Sequence, residues 1–214
     1  MLQNILKKFK DLYSFSEVDN KEYKSFKMSE MDFVTESYDL AGLGHQSVMK
    51  ASGMMGLMEM ESIIINPFEV DAPLLSIDRI KAMGNDSIYL EVYDTLLNAS
   101  RDEAGFESVK QKYQMLNDID YTSHWYDHLR YQSSILKKVS TAESHLVDEC
   151  VNEYLDVYLE LVKKAEVCDK VQKKLKAKEY SDGLLEHGGP ATDPFLKTWG
   201  KEKTAELFNE VLFG

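Results

Sequence analysis

The sequence has little cysteine and no long hydrophobic run. Its 214 residues include two cysteines, Cys150 and Cys168, and neither belongs to a CxxC motif. We therefore expect neither a disulfide framework nor a cysteine-based zinc site. No stretch approaches the roughly 18 apolar residues that a membrane-spanning helix requires. Lysines interrupt the N-terminal apolar residues, unlike in a signal peptide. These absences predict a cytoplasmic protein with no membrane partner.

Motifs that identify several enzyme classes are also absent. The chain has no GxGxxG, no P-loop and no GxSxG nucleophile elbow. His124 and His128 are four residues apart in HWYDH, a spacing that can hold a metal on a helix. Neither an HExxH motif nor a clear third ligand accompanies them. We expect no metal site.

Charge limits the choice of partner. The net charge is −12, which argues against nucleic acid, because phosphate binding requires clustered Lys and Arg. The segment Lys163–Lys178 departs from the average, with seven lysines and two acids. It is either a solvated helix face or a docking patch for an acidic protein, since a local field can steer association.

The hydrophobic pattern predicts an α+β fold in a single domain over residues 1–214. Apolar spacing indicates a helix over 2–13, and three strand-like runs follow over 54–66, 73–82 and 87–94. The short MGND connection (83–86) favours antiparallel neighbours.

The pattern predicts mainly helices in the rest of the chain. We predict helices over 105–116, from Ser140 through the lysine-rich segment to about 185, and over 201–212. Ser140 and Glu143 form a capping box. A long apolar stripe from Leu146 needs a sheet to cover. Residues 14–46 and 121–137 give no clear pattern.

Asp78 is an acid in the middle of an apolar strand. Side chains alternate across a strand, so Leu74, Ser76, Asp78 and Ile80 share one face. An acid that faces an apolar cavity has a raised pKa and can still carry a proton near neutral pH. The alternative is a solvated carboxylate, or one paired with a neighbouring cation.

Four segments resemble the ferredoxin-dependent bilin reductases, in the order of that family. The strand PLLSID (73–78) resembles the strand that carries the family's central acid, and ESIIINP (61–67) resembles the strand before it. VNEYLDVYLELVKKAE (151–166) is similar to the long helix, and KTWGKEKTAELFNEVLFG (197–214) to the closing segment.

The resemblance implies an α/β/α sandwich, with a central antiparallel sheet covered by helices on both faces. It implies that a linear tetrapyrrole such as biliverdin binds between the sheet and the C-terminal helices. No cofactor would be tightly bound, because reduced ferredoxin supplies the electrons. Asp78 would be the catalytic acid, and ferredoxin would dock at Lys163–Lys178.

Other positions depart from the family's pattern. Ser62 stands where many members have a histidine, and Pro190 lies nearest to the position of a lysine. Ser62, Ser76 and His187 are the candidate substrate-binding residues. Two hypotheses follow: an oxidoreductase that reduces a linear tetrapyrrole, and a non-catalytic tetrapyrrole-binding protein of the same fold. A third is an interaction domain in which Asp78 only pairs with a cation.

Overall fold

The computed structural model of the protein describes the backbone of residues 1–214 and every side chain except that of Met54. One antiparallel sheet of nine strands forms its centre. Numbered along the chain, the strands are β1 (Phe15–Val18), β2 (Ser25–Met28), β3 (Met31–Leu40), β4 (Gly44–Gly53), β5 (Met58–Pro67), β6 (Leu74–Ala82), β7 (Asn85–Tyr93), β8 (Asn117–Asp118) and β9 (Ile135–Ser140).

Helices precede, interrupt and follow the strands. They are α1 (Leu2–Lys10), α2 (Ala104–Lys112), α3 (Ser144–Lys164), α4 (Lys170–His187) and α5 (Asp193–Glu206). Gly200 bends α5 with a φ of 77°, and a π-helical turn over Leu207–Leu212 continues the chain. No helix among the described residues is long and apolar enough to cross a membrane.

The strand order is β1, β3, β4, β5, β6, β7, β9 and β8, with β2 also paired to β3. The β6–β7 hairpin turns through Met83 and Gly84, whose φ values are 50° and 78°. Both lie in the left-handed region that a two-residue hairpin turn requires. The predicted antiparallel hairpin is confirmed, and its turn fixes which side chains of β6 and β7 share a face.

Helices α1, α2 and α3 cover the first face of the sheet. The predicted apolar stripe of α3 is buried there against alternate residues of β5, β6 and β7. Arg79 also points to this face, where its guanidinium donates to both carboxylate oxygens of buried Asp86, at 2.9 and 2.6 Å. A second acid, Asp148 of α3, accepts from the same guanidinium at 2.6 Å.

Helices α4 and α5 and the C-terminal turn cover part of the second face. Their core side chains pack on Phe33, Met49, Ile64 and Tyr93 of the sheet. Buried polar side chains of the strands donate to the last backbone carbonyls of the chain: Ser37 to Val211, Ser47 to Leu212 and Asn66 to Phe213, at 2.7–2.8 Å. Helices on both faces confirm the predicted α/β/α sandwich.

Several predicted boundaries are wrong. Two segments without a predicted element contain strands: 14–46 contains β1, β2, β3 and the start of β4, and β9 begins inside 121–137. The run predicted as a strand from residue 54 becomes a strand only at Met58. The continuous helix predicted from Ser140 to about 185 is interrupted over 165–169, where Val167 forms a β-bridge with Val70. Ser140 donates to Glu143 at 2.9 Å, but α3 itself begins at Ser144.

Candidate functional site

Asp78 lies on the second face of the sheet, in the middle of β6. The register sets it opposite Ser62 on β5 and Tyr89 on β7. The same row reaches Met49 on β4 and Leu136 on β9. We call these five residues the Asp78 row. Four inter-strand spacings of about 4.8 Å give the row a length of roughly 19 Å.

The helices cover only one end of the Asp78 row. Met49 and Ser62 are buried, whereas Asp78, Tyr89 and Leu136 are half-buried. The row therefore runs from a helix-covered part of the sheet to a strip that solvent reaches. A long, flat molecule placed along it would contact both parts and cover the carboxyl group of Asp78.

The environment of Asp78 favours its protonated form. Burial raises the pKa of this carboxyl group, and hydrogen bonds from the hydroxyls of Ser62 and Ser76 oppose the shift. Ser76 Oγ donates to Asp78 Oδ2 at 3.1 Å. Asp78 forms no salt bridge with any described cation, so the predicted alternative of a neighbouring ion pair is not observed. The site thus holds an acid that no positive charge neutralises.

A second carboxyl group lies one diagonal step away. Glu91 of β7 stands directly opposite Ser76, on the same face as Asp78. Burial raises the pKa of Glu91, while Arg130 Nη1, which donates to its Oε1 at 3.0 Å, lowers it, and the charge of Asp78 raises it further. Arg130 is itself held by Tyr121, whose ring centroid lies 4.2 Å from the guanidinium. Glu91 is therefore paired, unlike Asp78.

Four aromatic side chains pack together on the second face, where β7 ends at Tyr93. The rings of Tyr93 and Tyr180 stack with their centroids 4.3 Å apart, and Tyr126 packs edge-on against Tyr93 at 5.7 Å. Trp125 lies at 6.1 Å from Tyr180. Burial raises the pKa of Tyr93 and Tyr180, so both hydroxyls stay protonated. We call these four side chains the aromatic wall.

His187 is placed at the rim of the second face and not beside Asp78. It is the last, exposed residue of α4, and its ring centroid lies 5.3 Å from that of Trp125. Trp125 Nε1 in turn donates to the carbonyl of Gly188 at 3.2 Å. The structure thus brings Ser62, Ser76 and Asp78 together, and it connects His187 to the aromatic wall only.

The Lys163–Lys178 segment is not one uniform surface. It is divided between the end of α3 and the start of α4, and Lys173 is fully buried. Four other lysines form ion pairs with acids: Lys163 with Glu160, Lys170 with Glu69, Lys176 with Glu179 and Lys178 with Asp182. The interpretation of the segment as a solvated helix face is wrong for Lys173. Because one lysine is buried and four are paired with acids, fewer lysines contribute to the positive surface potential of the segment than the sequence suggests.

The two histidines of HWYDH serve a local turn. His124 precedes a 3₁₀ turn over Trp125–His128 and His128 ends it, and Asp127 of the turn accepts from the backbone N–H of His124 at 3.2 Å. His128 Nδ1 lies 2.9 Å from the carbonyl oxygen of Trp125. Among the described residues, no cluster of three or more His, Cys, Asp or Glu side chains is arranged to hold a metal ion.

Sequence reasoning missed Glu91 and Arg130. The register of the β6–β7 hairpin would have placed Glu91 beside Asp78, because a two-residue turn at Met83 and Gly84 pairs Ser76 with Glu91. No local signal indicates Arg130, which comes from the connection before β9. Arg130 reaches the site because its backbone forms a β-bridge with Tyr93 of β7.

The fold is that of the ferredoxin-dependent bilin reductases, as the sequence resemblance implies. The chain is similar to the crystal structure of a phytochromobilin synthase from tomato in complex with biliverdin. The TM-score is 0.80 and the sequence identity 13%, over 99% of this chain and 81% of that chain. At the level of sequence, no protein-family model and no curated protein matches.

Proposed function

We propose that this protein binds a linear tetrapyrrole along the Asp78 row and reduces it with electrons from reduced ferredoxin. One observation carries the proposal: a carboxyl group without a cationic partner, with a raised pKa, lies half-buried in a fold that a biliverdin-bound enzyme shares. The row of roughly 19 Å suits a long conjugated ligand. Tyr93 of the aromatic wall lies on the same face, four residues further along β7 than Tyr89. Residues 1–214 would act as one domain, in the cytoplasm.

The chemistry requires a proton donor that the ligand can reach. Ferredoxin transfers one electron at a time, so reducing one double bond takes two electrons and two protons. Asp78 would donate a proton to the singly reduced ligand and be reprotonated from solvent, because burial raises its pKa and so favours the protonated form. Ser62 and Ser76 would hold the carboxyl and contact the ligand, and His187 would contact its polar edge at the rim. No tightly bound cofactor is needed.

A second function, tetrapyrrole binding without reduction, is favoured by the neighbours of Asp78. Ser62 stands directly opposite it, and the turn at Pro190 precedes α5. Neither a serine hydroxyl nor a proline ring can supply protons near neutral pH. A protein that only carries the tetrapyrrole would need the aromatic wall and the hydrogen bonds of Asp78, and no proton donor.

One mixing experiment separates the two functions. Biliverdin is titrated into the protein and the visible spectrum recorded, and reduced ferredoxin is then added without oxygen. We expect a shifted bilin band that moves again or bleaches on reduction. A shifted band that persists after ferredoxin supports carriage, and no shift excludes biliverdin as the ligand. Asp78→Asn should bind biliverdin but turn over slowly, whereas the exposed Asp32→Asn serves as the matched control.

A further inference from the structure

A cavity of about 550 Å³ lies on the first face of the sheet, opposite to Asp78. Its walls come from the start of α2, the last turns of α3 and the connection before α2. Most of the lining is apolar or small, and includes Pro73, Leu96, Phe106, Val157 and Leu161. The volume lies within the range of pockets that bind small organic molecules.

The acids around this cavity already have partners. Their carboxylates are paired as follows: Asp71 with Lys173 and the amides of residues 97–99, Asp102 with the amide of Ala104, Asp156 with Lys8, and Glu160 with Lys163. Three of these four acids are thus balanced by a lysine, and Asp102 is the one of them without a cationic partner. The lining groups that lack a partner and matter for binding are instead hydrogen-bond donors.

The buried hydroxyl of Tyr131 and the ammonium group of Lys164, both in the lining, have no partner among the described residues. Tyr131 is 1% exposed, and its hydroxyl makes no hydrogen bond. Lys164, exposed at the mouth, forms no salt bridge. Burial raises the pKa of Tyr131, so its hydroxyl keeps the proton that it would donate. An unpartnered buried hydroxyl costs stability, and a ligand that accepts from it would recover that cost.

We propose that this cavity is a second ligand site, for a monocarboxylic acid with an apolar body. The body would fill the space between α2 and α3, and the carboxylate would accept from Tyr131 and Lys164. The proposal is independent of tetrapyrrole binding, because the sheet separates the cavity from the Asp78 row.

Calorimetric titration with decanoate tests the proposal, with decylamine as the probe of opposite charge. We expect one decanoate per chain and weaker binding of decylamine. Tyr131→Phe should weaken decanoate binding about tenfold, because one hydrogen bond to a charged acceptor is lost. Tyr131→Phe should also leave the melting temperature of the free protein unchanged or raise it. Replacing a tyrosine whose hydroxyl has only a structural role would lower the melting temperature.

Exposed Ala99, on the wall of the cavity, supplies a blocking variant. Ala99→Trp should abolish decanoate binding, while Ala142→Trp, exposed at the other end of α3, should not. Both variants should keep the biliverdin spectrum of the wild type. The proposal is overturned if decanoate does not bind, if decylamine binds as tightly, or if binding survives Ala99→Trp. Lys164→Gln provides a further variant that leaves the core untouched and should also weaken decanoate binding.

Discussion

Ser76 donates a hydrogen bond to Asp78 across 3.1 Å, and both side chains lie on the second face of β6. The adjacent residue, Arg79, points to the first face and neutralises buried Asp86. The sheet thus contains one acid, Asp86, fixed by the guanidinium of Arg79. The residue before that arginine, Asp78, faces the opposite side of the sheet and is held by hydroxyls alone. An acid buried for structure is normally paired, so the environment of Asp78 suits a ligand better than it suits stability.

Replacing Asp78 should therefore stabilise the free protein near neutral pH. Because its pKa is raised on folding, ionisation costs stability as the pH rises above the ordinary value of about 4 for an aspartate in the unfolded chain. We expect Asp78→Asn to melt a few degrees above the wild type at pH 7 and to differ less at pH 4. Thermal unfolding followed by circular dichroism measures both. A variant less stable than the wild type at pH 7 would show that the carboxylate is structurally required.

The two serines should tune the same carboxyl group. Their hydroxyls lower the pKa of Asp78 against the effect of burial, so Ser76→Ala and Ser62→Ala should each raise it. Carbon-detected NMR of the Asp78 carboxyl in the ligand-free protein reports this pKa directly. Ser52→Ala, at an exposed position of β4, is the matched control and should leave it unchanged. A pKa insensitive to both serines would mean that they do not bond to the carboxylate.

Asp71 and Lys173 should contribute strongly to stability. Lys173 Nζ lies 3.2 Å from Asp71 Oδ1, and three backbone amides donate to the same carboxylate at 2.8–2.9 Å. Removing one partner of a buried pair leaves an uncompensated charge, so Asp71→Asn should lower the free energy of unfolding by about 3 kcal/mol in urea titrations. Asp182→Asn, which breaks an exposed pair with Lys178, should cost less than about 1 kcal/mol.

The acid side of the stability profile provides a second readout for Asp71. Although burial raises its pKa, the three amides and Lys173 bring it down to about 2. Stability from this lowered pKa is present above the unfolded value of about 4 and is lost as the pH falls towards 2. We expect the wild type to approach Asp71→Asn in stability over that range. A constant difference between them would contradict the assignment.

The ferredoxin docking that the sequence resemblance implies at Lys163–Lys178 predicts a salt-dependent effect of charge reversal. Lys170→Glu combined with Lys174→Glu should raise the ferredoxin KM several-fold at low ionic strength, and the difference should shrink as salt is added. Lys7→Glu combined with Lys10→Glu, at two exposed positions of α1, is the control with the same change of charge. Equal KM values for the two variants would place the electron donor elsewhere.

The sequence predicts the local features of the fold and misses those that depend on long-range contacts. The β6–β7 hairpin and the stripe of α3 were predictable because periodicity and turn residues act within a few positions. Strand β4 was not, because polar residues such as His45 and Ser47 are buried there by the C-terminal turn. His45, for example, lies with Nε2 2.9 Å from the carbonyl oxygen of Val211.

The candidate site follows the same division. The face on which Asp78 lies is predictable from the alternation of side chains along β6, and the same alternation places Ser76 beside it. Ser62 lies opposite it because β5 pairs with β6. Glu91 and its partner Arg130 are 39 positions apart in the sequence, and buried Lys173 and its partner Asp71 are 102 positions apart. A lysine-rich segment gives no local sign of which lysine meets a buried acid. Such contacts are set by packing between layers, which periodicity does not encode.

A crystal structure of the protein with biliverdin tests the central claim most directly. We expect the tetrapyrrole along the Asp78 row, with pyrrole nitrogens about 3 Å from the carboxyl oxygens of Asp78. Biliverdin bound away from this row, or an Asp78 carboxyl that does not touch it, would contradict the claim.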